Sequence, residues 1–159
     1  MKGVKVQMAP IFLDARTSQN ASYANSINVP TTDSYQLFAQ VGLNVTAADV
    51  SIPIRVQFEG IATFKLSPFA THAVNPVEIK IVRGTDPNSP PVFSGIKTLI
   101  LNGNENGPQE YTFAASDYNP PKGSGLLVYS GFIRNITGGS ESDVVRVGPE
   151  SFDATAFGN

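Results

Sequence analysis

The chain reads as an all-β protein, an antiparallel jelly-roll sandwich of about 8–10 strands with an N-terminal arm or strand. Three observations predict it. Apolar residues recur with a period of two, the alternation of a strand with one face buried. No window carries the i, i+3, i+4, i+7 apolar stripe of a helix. Gly and Pro, 14 and 12 of them in 159 residues, stand as punctuation between the alternating runs, as turns between short strands require.

The elements follow in order. Val4–Met8 and Ile11–Ala15 are the first strand candidates. Val4, Val6, Met8, Ile11, Phe12 and Leu13 are assigned to an assembly arm that could add to a neighbour's sheet. Thr17–Asp33 is rich in Ser, Asn and Thr and reads as a long polar link. This divides the chain into an N-terminal strand and linker, residues 1–33, and a β-sandwich, residues 34–159. Tyr35–Val41 opens the sandwich. From Ile52 the even positions read Ile52, Ile54, Val56, Phe58, Gly60, Ala62, Phe64 and Leu66, a long half-buried strand or a strand pair split at Gly60. Val77, Ile79 and Ile81 alternate with Glu78 and Lys80. Val92–Phe93, Thr98–Leu101 and Glu110–Phe113 are shorter candidates. Leu126–Ile133 is apolar on both faces, as a central strand would be. Val144–Val147 and Phe152–Phe157 complete the set. Ile54, Val56, Phe58, Val77, Ile79, Ile81, Leu127, Tyr129 and Ile133 are assigned to the core or a subunit interface. Phe64, Phe113 and Phe132 are placed with them.

Composition excludes several functions. Hydrophobic residues make up 41% and charged residues 15%, with a net charge of −2, so no basic field exists to draw in nucleic acid. No apolar run reaches the length of a membrane-spanning helix, and Met1–Gln7 lacks the apolar stretch of a secretory leader. With no Cys, thiol catalysis, Cys-based zinc sites and disulfides are impossible.

The remaining candidates for chemistry read as ordinary structure. His72, the single histidine, lies in a connection without partners at a recognisable spacing. Asn102–Asn106 alternates oxygen-bearing side chains but has one acid, Glu105, and lacks the calcium-loop pattern. Asn20-Ala21-Ser22, Asn44-Val45-Thr46 and Asn135-Ile136-Thr137 are glycosylation triplets at chance frequency. The acid pairs Glu141/Asp143 and Glu150/Asp153 sit among turn residues and read as solvated. Gly138-Gly139-Ser140 reads as a hairpin turn, since no helix and Lys follow it. No residue is assigned a catalytic, metal-binding or cofactor-binding role, and no cofactor is expected.

Three segments carry a family resemblance. Val77-Glu78-Ile79-Lys80-Ile81-Val82-Arg83-Gly84-Thr85-Asp86 runs on to Pro91-Val92-Phe93-Ser94. Tyr111-Thr112-Phe113-Ala114-Ala115-Ser116-Asp117-Tyr118-Asn119-Pro120-Pro121 precedes Leu126–Ile133. Val147-Gly148-Pro149-Glu150-Ser151-Phe152 continues to Phe157. Over roughly residues 45–157 this order resembles small C1q/TNF-like jelly-roll proteins of the spore surface of Gram-positive spore formers, including exosporium and appendage-tip domains. The resemblance implies a non-enzymatic protein that forms trimers or larger surface assemblies with copies of itself. The expected function is therefore a self-assembling structural protein, joined through strand edges and the N-terminal arm. The expected setting is extracellular, on a spore or cell surface or in a filament or fibre. A virion component, such as a decoration or fibre-head protein, is the first alternative. A ligand-binding β-sandwich module is the second.

Overall fold

A computed structural model describes residues 9–103, 107–136 and 143–158. It contains ten strands among the described residues: β1 (Ile11–Ala21), β2 (Val29–Pro30), β3 (Gln36–Asn44), β4 (Ile54–Leu66), β5 (Val74–Arg83), β6 (Pro91–Ile100), β7 (Gln109–Tyr118), β8 (Leu126–Asn135), β9 (Val144–Arg146) and β10 (Glu150–Gly158). The Val4–Met8 strand candidate and Gly138-Gly139-Ser140 lie outside the described residues.

The strands form a β-sandwich of two antiparallel sheets. The first has the order β1-β10-β4-β7, with β9 and β2 prolonging the lanes of β10 and β1. The second has the order β3-β8-β5-β6. β4 holds the first sheet together, because β10 lines one side of it from Ile54 to Ile61 and β7 the other from Arg55 to Phe64. β8 is the central strand of the second sheet, between β3 and β5. That position explains its apolar residues on both faces. Its inward side chains Leu127, Tyr129 and Ile133 meet the core, and Phe132 is covered on the outer side.

All nine residues assigned to the core or an interface are buried, Leu127 the most accessible at 8%. An aromatic path crosses the sandwich. Tyr129 on β8 meets Phe58 on β4 at 4.8 Å, Phe58 stacks on Phe152 of β10 at 5.6 Å, Phe113 of β7 lies 6.2 Å from Phe152, and Phe93 on β6 stacks on Phe113 at 5.0 Å. It thus starts and ends in the second sheet and fills the layer between.

Three expectations are corrected. Gly60 neither splits β4 nor turns it. Phe152 and Phe113 flank it as Cα partners on either side, and a Cβ at residue 60 would lie 2.3 Å from the Phe113 ring. The missing side chain is the space the Phe113 ring uses. Val92–Phe93 and Thr98–Leu101 do not form two strands, since β6 is continuous from Pro91 to Ile100, with Gly95 in its middle leaving room for the Tyr111 hydroxyl.

The third correction concerns the arm. Ile11–Leu13 open β1, which pairs with β10 of its own chain as far as Ala21, and Val29–Pro30 pairs with β9. Ile11–Ala21 and Val29–Pro30 are therefore strands of the sandwich, and Thr17–Asp33 is not a free link. Backbone pairing does not need apolar side chains on an edge strand, and the polar side chains here have work of their own. Asp14 accepts the Asn44 N–H at 2.7 Å and Ser18 the Gln40 N–H at 3.2 Å, which ties β1 to the edge of β3.

Candidate functional site

The two outer faces of the sandwich differ. Tyr35, just ahead of β3, lies over the centre of the second sheet. Its ring receives Arg134 at 4.3 Å and Lys80 at 5.2 Å and meets Phe132 edge-on at 6.0 Å. Arg134 donates in turn to Glu78 at 2.7 Å. Burial, then the neighbouring Glu78 carboxylate, holds the Tyr35 phenol above its ordinary pKa.

The first sheet presents its outer side chains in ladder rows. One row, read across β1, β10, β4 and β7, is Phe12, Phe157, Arg55 and Tyr118. Phe12 is 61% exposed and Tyr118 66%. Phe12 meets Phe157 edge-on at 6.5 Å, and the Arg55 guanidinium lies 5.7 Å from the Phe157 ring centre. The Arg55 Nε is buried and makes no hydrogen bond. The next rows are polar: Ala15, Thr155, Gln57 and Ser116, then Thr17, Asp153, Glu59 and Ala114. Glu59 and Asp153 stand side by side on neighbouring strands. They border a shallow groove of about 470 Å³, floored near Gly60 and walled by Thr112 and Ser151. The surface thus joins a cationic aromatic row to an acidic groove. That arrangement suits contact with another surface, since its apolar and ionic parts lie in one plane.

The other singled-out residues take structural places. His72 Nδ1 lies 2.6 Å from Asp143, which also accepts the backbone N–H groups of Thr71 and His72. Burial raises the Asp143 pKa, and these bonds outweigh it, leaving the carboxyl below its ordinary value. Asn20 donates to Glu150, Asn44 accepts from Thr46, and Asn135 is buried against Thr31. Asp153 is exposed, whereas Glu150 is wholly buried, which corrects its reading as solvated. The turn at Gly148 and Pro149 brings Arg146 back onto Glu150 with two bonds of 2.6 and 2.7 Å. The i, i+4 spacing of a cation and an acid was visible, but nothing in the spacing says that a turn encloses them. Glu105 and Glu141 lie outside the described residues, as do Val4, Val6 and Met8 of the arm. Leu13 packs on the core, and Ile11 is half exposed. Among the described residues no group of three or more His, Cys, Asp or Glu could hold a metal ion.

Two groups escaped sequence reasoning. The Phe12–Phe157–Arg55–Tyr118 row draws one residue from each of four strands, so only register assembles it. The second is a cross-sheet cluster, in which Arg83 donates to Asp117 at 2.6 and 2.7 Å and the Tyr129 hydroxyl donates to the same carboxylate at 2.8 Å. Burial first, then the adjacent Asp117, drives the Tyr129 phenol far up, so it stays a donor. This cluster joins β5 and β8 of one sheet to β7 of the other.

No family model matches the chain, and no curated protein matches it. Among solved structures, a chain from the crystal structure of the T13 IBDV viral particle is similar over 99% of this chain and 39% of its own length, with 10% identity and a TM-score of 0.36. The present chain therefore spans about 39% of the length of that protein. A chain described under CBM4 structure and function is similar over 95% of both chains, with 13% identity and a TM-score of 0.24. At such TM-scores neither likeness bears on what this chain does.

Proposed function

We propose that this protein is a non-enzymatic structural β-sandwich that assembles with copies of itself on a spore or cell surface. The single observation that carries the reading is the outer face of the first sheet. Exposed Phe12 and Tyr118 flank Phe157 and Arg55 in one row, beside an acidic groove on the same plane. Large exposed aromatics together with an Arg are the residues that anchor protein interfaces. The cation at one end of this face and the acids Glu59 and Asp153 in the middle offer opposite charges to a second copy. The strand orders β1-β10-β4-β7 and β3-β8-β5-β6 support reading the sandwich as a jelly roll. A virion protein would use the same face in the same way, and the particle from which the protein is isolated separates the two settings.

The experiment is light scattering on the purified chain and on Phe12→Ser/Tyr118→Ser. Assembly of the first and a smaller assembly of the second are expected. Assembly unchanged in the double variant would remove this face from the reading.

The aromatic row beside a polar groove also favours a second reading, a binding module for a soluble ligand such as a glycan. Titration calorimetry of the single subunit against a panel of oligosaccharides tests it. Heat that disappears in Tyr118→Ala would support it, and no heat from any sugar would reject it.

A further inference from the structure

A sandwich of two open sheets has four lateral edges, and three of them are guarded here. The β1 and β3 edges close on each other through the Asp14 and Ser18 bonds to backbone N–H groups of β3. Both also carry bulges, β1 near Leu13 and Asn20, β3 at Phe38. β6 begins at Pro91, where its register with β5 shifts, and it carries Lys97 opposite the buried Val77. Proline, irregular register and an inward-facing charge are devices that keep edges from pairing. β7 has neither a proline nor an irregular register, and its inward charge, Asp117, is already held by Arg83 and Tyr129. It pairs with β4 through ten consecutive positions without a shift, and no other strand among the described residues pairs with it. Its sequence, Gln109 to Tyr118, contains no Pro, Lys or Arg, and alternate residues from Glu110 to Tyr118 face solvent.

We propose that β7 is the edge through which two copies join, each adding the other's β7 as an antiparallel strand. This deepens the self-assembly reading above and rests on it. The partner is a second copy of this chain, and the pleat restricts the register, which we place at the middle of the strand. In a twofold antiparallel pair, facing residues lie on the same side of the sheet, so their numbers add to an even sum. Centring the axis on Ala114 places Thr112 opposite Ser116, Glu110 opposite Tyr118 and Tyr111 opposite Asp117. No two carboxylates face each other, which like-charge pairs would penalise. The row Phe12–Phe157–Arg55–Tyr118 then continues into Glu110 of the second copy, an anion two strands from the buried, unbonded Arg55 Nε. A two-way joint at β7 together with contacts on the sheet face gives each subunit two different interfaces, the minimum for an extended assembly.

The chain has no cysteine, so one engineered thiol reports one position. Ala114→Cys would face itself across the axis at about 4.5–5.5 Å between Cα atoms, within the span of a disulfide. Mild oxidation of that variant should give a covalent dimer on a non-reducing gel, while Thr98→Cys on the β6 edge should not. Thr112→Lys/Ser116→Lys should weaken association about tenfold by setting lysine against lysine. Thr112→Lys/Ser116→Glu should restore it, because those two positions face each other only in this register. All four positions are on exposed surface, and circular dichroism confirms that each variant is folded. If the unmodified chain assembles but Ala114→Cys stays uncrosslinked, Thr98→Cys crosslinks instead, or the Lys/Glu variant is as weak as the Lys/Lys one, the β7 joint is wrong and self-assembly stands. If the unmodified chain keeps the mass of one subunit at all concentrations, both fall.

Discussion

Arg146 and Glu150 place a complete ion pair inside the protein, with side chains 5% and 0% exposed. Asn20 donates to the same carboxylate at 2.7 Å. Such a pair adds little over an apolar replacement, but removing one member strands a buried charge. Arg146→Met is therefore expected to cost about 3–5 kcal/mol in urea unfolding, and Arg146→Met/Glu150→Leu to recover most of it. A single variant as stable as the parent would show that the pair is not enclosed as described. Asp143 gives a pH-dependent counterpart. Its folded pKa is depressed, so its contribution is complete above the unfolded value of about 3.9 and fades as pH falls through the folded value. Asp143→Asn should thus melt below the parent at pH 7, and the gap should close below about pH 4. A gap that does not narrow as pH falls from about 4 toward acid unfolding would mean that the charge plays no part. Neither network was legible in the sequence. Arg146–Glu150 needs the intervening turn, and Asp143 meets His72 from 71 residues away.

The β4 strand shows what alternation does and does not reveal. Its buried set, Ile54, Val56, Phe58, Ala62 and Phe64, follows directly from a period of two. Gly60 within the same run looked like a break, because a glycine's own identity says nothing of the rings beside it. Gly60→Ala tests the packing account. It should cost about 1–3 kcal/mol by crowding the Phe113 ring, and Gly60→Ala/Phe113→Leu should regain part of that loss. Equal costs in the single and double variants would mean that the glycine serves the backbone rather than the ring. β1 erred in the opposite sense. Its Ser, Thr and Asn content suggested a linker, since period-two patterning reports burial of side chains, and an edge strand that bonds its neighbour's backbone through Asp14 and Ser18 buries few.

At the scale of the whole molecule, the all-β sandwich was legible because most strands sit between a core and solvent and so alternate. The outer-face row was not, because Phe12, Arg55, Tyr118 and Phe157 come together through pairing registers that no local pattern records. The core binding the two sheets has little tolerance for charge: Val56 and Ile79 are fully buried. Val56→Asp or Ile79→Asp should leave no cooperative melting transition, and a soluble variant with a sharp melt would displace these residues from the core. With the core spent on holding the sheets together, the first sheet's outer face and the β7 edge are the surfaces proposed for contact with other copies. Size-exclusion chromatography with light scattering over a hundredfold range of concentration tests that most directly. The account predicts masses that rise to multiples of the 16.9 kDa subunit and reach no further than the β7-joined pair in Phe12→Ser/Tyr118→Ser; a constant single-subunit mass for the parent chain would contradict it.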